Sequence, residues 1–152
     1  MTNTEILQVL SGFIGSLGFG ILFNVRSKRL IMAALGGLLS WFLFIALNKV
    51  ILNEAVCYFL VAAATSFYAE ISARIFKTPT TAFITTSLIP LIPGSSLYYT
   101  MASAFSGNLE LFVQKAISTL QLASSLALGV ILSAAITKMF FKRTNIKTKT
   151  EG

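Results

Sequence analysis

Charged residues in this chain fall in short clusters, and between the clusters run long stretches that carry no charge. Ile6–Phe23 and Leu30–Leu47 each hold 18 uncharged residues. Ala55–Ala69 continues through a single acid, Glu70, to Ala73. Thr78–Leu109 is 32 residues without a charge, and Ala116–Thr137 is a further 22. A helix crossing the hydrocarbon core needs about 20 apolar residues. Four runs therefore approximate one span each, and Thr78–Leu109 is too long for a single straight helix. Only 11% of the 152 residues are charged, against about 25% in soluble domains. Lipid must be the solvent for most of this surface. The expected fold class is an all-α integral membrane protein of five transmembrane helices, covering residues 4–23, 30–48, 55–74, 79–105 and 115–140.

Basic residues set the orientation. Five spans with the amino end outside place Arg26, Lys28, Arg29, Arg74, Lys77, Lys138 and the four basic residues of the tail inside, ten of the twelve in the chain. Lys49 and Lys115 remain outside, each beside an acid, Glu54 or Glu110. Cytoplasmic segments carry the excess of Lys and Arg, so the amino end is expected out and the carboxyl end in. The first run lacks a basic n-region and is followed by its positive cluster, which fits a retained span rather than a cleaved signal. Residues 1–141 read as one polytopic domain. Residues 142–152 read as a polar, disordered cytoplasmic tail beside anionic headgroups.

The composition excludes much chemistry. The chain has no histidine and no aspartate, and its five acids are all glutamates. Histidine-based acid–base catalysis, triads and His-rich metal sites are ruled out. Cys57 is the single cysteine, so it reads as small apolar packing. No catalytic residue, cofactor or metal is expected. A net charge of +7 would suggest nucleic acid in a soluble protein, but here it lies between membrane runs.

One sequence inside the longest run, SLIPLIPGSSLYYT, breaks a helix on purpose. Proline removes a backbone donor and clashes with the carbonyl four residues back. Pro90, Pro93 and Gly94 lie close to the middle of the run, so the fourth span is expected to be interrupted near the bilayer centre. Discontinuous helices at that depth bind solutes in secondary transporters, with the second half-helix offering free amides to an anion. Ser95 and Ser96 would be those donors, Tyr98 and Tyr99 follow within a turn, and Gly94 is expected to keep the break uncrowded. A proline-kinked packing helix would look the same in sequence.

Glu70 is the one acid within an apolar run, and Arg74 follows four residues later on the same helix face. The two can form an ion pair that fixes the helix at the inner boundary, or Glu70 can couple transport to an ion. Small residues recur at four-residue spacing in Gly12, Ser16 and Gly20, and again in Ser125, Gly129 and Ser133. These read as helix-packing seams, with each other or with a partner.

Glu70, Arg74, the Thr78-Pro79 loop, Phe83, Pro90-Leu91-Ile92-Pro93-Gly94 and Tyr98 together resemble the threonine/serine exporter family, in its small-subunit type. Gly18-Phe19 through Phe23-Asn24-Val25 resembles that family's first span and loop, with Arg26 where members often carry proline. The resemblance covers most of residues 12–105. It implies ion-driven export of small hydrophilic metabolites, threonine/serine-like amino acids or dicarboxylates such as succinate. It also implies a large exporter subunit as partner, which suits an odd number of spans without a second inverted half. Substrate binding would then involve Pro90, Pro93, Gly94, Ser95, Ser96 and Tyr98, with Glu70 and Arg74 as coupling or structural pair. Two other readings remain open: a non-transporting scaffold or assembly factor, and a stand-alone homo-oligomeric channel or small drug exporter.

Overall fold

A computed structural model describes residues 2–150, with side chains as far as Phe140. Its elements are α1 (Asn3–Leu22), α2 (Lys28–Asn48), α3 (Glu54–Ile75), α4 (Thr80–Leu88), a 3-10 turn (Ile89–Leu91), α5 (Gly94–Phe105) and α6 (Leu109–Thr150). Four helices are long and apolar enough to cross a membrane: α1, α2, α3 and α6 as far as Phe140. The segment expected as an interrupted fourth span is built in two short pieces, α4 with its 3-10 turn and α5. The α6 backbone stays helical through Thr150, past the point where the sequence reads as a disordered tail. Once a long helix is nucleated, each added residue fixes only its own dihedrals for one hydrogen bond. The side chains of that tail lie outside the described residues.

Local chemistry sets the helix ends. The Asn53 side chain caps α3, accepting from the amides of Ala55 at 3.1 Å and Val56 at 3.4 Å. At the far ends of α1 and α3 the chain closes with the same Schellman pattern. Val25 N donates to Gly20 O, and Thr78 N donates to Ala73 O, both at 2.9 Å. The residues that make these turns, Asn24 (φ 57°) and Lys77 (φ 49°), are left-handed, which asparagine tolerates better than lysine. Arg26 uses its Nε to donate to Asn24 Oδ1 at 2.8 Å.

The helices approach closely where small residues face each other. A Cβ on Gly12 would lie 3.3 Å from Gly37 O, and Gly37 sits directly on Ser16. The α1 seam is therefore used by α2. A Cβ on Gly129 would lie 2.5 Å from Phe59 O and 2.9 Å from Ala62 Cβ, so the α6 seam is used by α3. The two seams do not meet each other, because α2, α3 and α4 lie between their helices. The α4 segment packs among α1, α2 and α3. Phe83 is buried with Ala33, Ala69 and Ala73, and Leu88 and Leu91 pack with Val61 and Ala62. Cys57 is fully buried and unpaired.

Candidate functional site

The break occurs where the sequence puts it along the chain, and Pro90 lies level with Gly12, halfway along α1. Leu91 packs against Val61 and Ala62, about 10–12 Å in from the Glu54 end of α3 at 1.5 Å per residue. Two residues later the chain turns: Ile92 is extended, Pro93 is the N-cap of α5, and Gly94 N donates to Ile92 O at 2.7 Å. Ser95 and Ser96 then reach the level of Asn53, Glu54 and Ala55, with which they line one cavity. Across the break the chain thus steps from Gly12 of α1 to the Glu54 end of α3. Beyond Tyr99, α5 continues alongside α6, joined to it by Thr100 Oγ1 and Thr119 Oγ1 at 3.0 Å.

The freed backbone groups are available. Among the described residues, the amides of Ser95 and Ser96 have no backbone acceptor, whereas Leu97 N returns to Pro93 O at 3.0 Å. These free amides form the positive end of a 12-residue helix, a ready anion site. They open onto a cavity of about 350 Å³ lined by Asn53, Glu54, Ser95, Ser96, Tyr99, Lys115, Thr119 and Gln121 among others. Ligand pockets begin at roughly 300 Å³. This one contains one cation, one carboxylate, several hydroxyls and two carboxamides, a polar set suited to a small zwitterion.

The expected site residues divide. Ser95 and Ser96 line the cavity. Tyr98 does not; it is 69% exposed and packs edge-on against Tyr99 at 5.5 Å between ring centroids. Tyr99 takes the lining role, one residue further along the helix. Pro93 is buried and caps α5. Pro90 lies on the opposite side, where it lines an apolar groove with Thr4, Gln8, Ser11, Gly12, Gly15 and Trp41. Gly94 is not needed for space: no atom lies within 4 Å of where its Cβ would be, and its φ is not left-handed.

Glu70 and Arg74 share a helix but not an environment. Glu70 is 6% exposed, while Arg74 lies at the surface. The ion pair found among the described residues joins Lys49 to Glu5 at 2.7 Å, tying the end of α2 to the start of α1. Neither Glu70 nor Arg74 lines the polar cavity.

Sequence reasoning missed Asn53, Glu54, Lys115, Thr119 and Gln121. Glu54 and Lys115 had been read only as balancing loop charges. Each lies in a separate run boundary, and only the packing of α6 along α3 brings them to one cavity. A family model described as "Threonine/Serine exporter, ThrE" matches residues 8–136 of the chain. No curated protein and no solved structure matches it.

Proposed function

The chain belongs to the threonine/serine exporter family, and on that premise we propose that it binds threonine- or serine-like amino acids in the cavity at the break of the fourth segment. As a member it is a multi-pass cell-membrane protein of exporter-type transport. The observation that carries the reading is the charge arrangement around Ser95 and Ser96. Lys115 and the two free amides suit the substrate carboxylate, Glu54 suits the ammonium, and Thr119 with Gln121 suits a side-chain hydroxyl. Glu54 also decides between the substrate classes. A second carboxylate, as in succinate, would meet it with like charge, whereas an amino acid brings the opposite sign.

In this reading the split segment α4–α5 is the fourth of five spans, the amino end lies outside and the carboxyl end inside. The ten-to-two division of basic residues supports that orientation. The cavity then opens in the outer half of the bilayer, where an exporter releases its solute. The chain works as the small subunit of a two-component exporter. A partner helix is supported by the groove beside Pro90: Gly15 and Gly18 have no atom within 4 Å of their Cβ positions. Small residues with open space beside Gln8 and Ser11 are what an unoccupied helix seam contains.

The test is efflux of radiolabelled threonine from loaded cells expressing this chain with a large exporter subunit. Lys115→Ala and Glu54→Gln should each raise the half-saturating threonine concentration about tenfold or more, the loss of one charged hydrogen bond. Succinate efflux should improve, if anything, in Glu54→Gln. Threonine efflux unchanged in both variants would remove the cavity from the mechanism and favour a scaffold.

A further inference from the structure

The α3–α6 interface contains a polar ladder that the substrate cavity does not use. The two helices run in the same direction, because Asn53–Ala55 meets Leu122 in one cavity while Phe59–Ala63 meets Gly129 further on. Gly129 rests on Ala62. One turn on, Ser66 and Ser133 come level, and a second turn brings Glu70 level with Thr137. All four are buried, at 0%, 4%, 6% and 0% exposure. The Oγ atoms of Ser66 and Ser133 have no hydrogen-bond partner among the described residues. Thr137 Oγ1 donates to Ser133 O at 2.9 Å, which leaves its lone pairs free. A helical side chain tilts toward the amino end of its helix, so Glu70 leans back along α3 toward the turn that holds Ser66.

We propose that Glu70, Ser66, Ser133 and Thr137 form a binding site for a sodium ion between α3 and α6. Unpaired buried hydroxyls are costly unless something satisfies them, and Glu70, 6% exposed, supplies a carboxylate one turn from Ser66. The donors are all hard oxygens, which select hard cations. A single carboxylate balances a single positive charge; a divalent ion would leave a net charge buried in the membrane. Among the described residues no group of three or more His, Cys, Asp or Glu side chains exists to hold a multivalent metal. A proton would neutralise Glu70 but would not use the lone pairs of three hydroxyls, whereas a metal cation uses them all. The role of this ion as the coupling ion rests on the exporter reading above; its binding does not.

The experiment measures binding of radioactive sodium to the purified full-length protein in detergent, at fixed pH, with choline keeping ionic strength constant. Saturable binding at a single site per chain is expected. Glu70→Gln should abolish it, and Ser66→Ala with Ser133→Ala should weaken it about tenfold or more. Ser16→Ala should leave it unchanged, since Ser16 is an equally buried and unpartnered hydroxyl in a different seam. If Glu70→Gln fails to give folded protein, the double serine variant decides, because those hydroxyls have no partner to lose. No saturable binding by monodisperse wild type, or full binding in the serine variant, overturns the site. Threonine efflux without sodium binding overturns only this site; sodium binding without threonine efflux overturns only the exporter reading.

Discussion

Two glycines should respond to alanine in opposite ways. At Gly129 a new Cβ would lie 2.5 Å from Phe59 O, 2.9 Å from Ala62 Cβ and 3.0 Å from Ala63 N. Ordinary contact begins near 3.4 Å, and two of the three obstacles are backbone atoms of α3 that cannot rotate away. The helices must therefore separate by about 0.9 Å at that point, and overpacking against fixed backbone falls in the upper part of the usual range, about 2–3 kcal/mol. Alanine recovers up to ~1 kcal/mol through its better helix propensity, so the net loss is about 1–2 kcal/mol. At Gly94 nothing lies within 4 Å, and Gly94→Ala should be neutral or stabilising by roughly 0.5 kcal/mol through a less flexible unfolded chain. Equilibrium unfolding in mixed micelles, followed by circular dichroism, separates the two. A Gly129→Ala protein as stable as wild type would refute the α3–α6 register and, with it, the level pairing of Ser66 with Ser133. A strongly destabilised Gly94→Ala protein would refute the open geometry of the break.

Removing the Asn53 cap by Asn53→Ala should lower stability by about 1 kcal/mol, read in the same unfolding assay. Thr119→Val, which leaves Thr100 without its 3.0 Å partner, should cost about 0.6 kcal/mol and loosen α5 against α6, seen as faster proteolysis within 105–109. Replacing Pro90 and Pro93 together by alanine should let the helix run through, pair the Ser95 and Ser96 amides, and abolish threonine efflux while membrane insertion persists. Efflux at the wild-type rate would reduce the break to a kink. A cysteine introduced at Asn108 should label from outside intact cells, and labelling only after permeabilisation would overturn the proposed orientation.

The sequence by itself determined the solvent and the local breaks. Charge-free runs of span length fix where helices form in lipid, because an unsatisfied backbone group there is too costly for any other open structure. Pro90, Pro93 and Gly94 fix the interruption, because proline's missing donor acts within one turn of its own position. Tertiary structure alone decided what the break faces, with Pro90 on Gly12 of α1 and Ser95 and Ser96 at the Glu54 end of α3. It also decided that Tyr99 rather than Tyr98 lines the cavity, since a rotation of about 100° per residue is set by packing on α6. Glu54 and Lys115 looked like paired loop charges because a sequence records neighbours along the chain. They line one cavity because α6 lies parallel to α3, and that register is held by Gly129, a residue that carries no chemistry of its own.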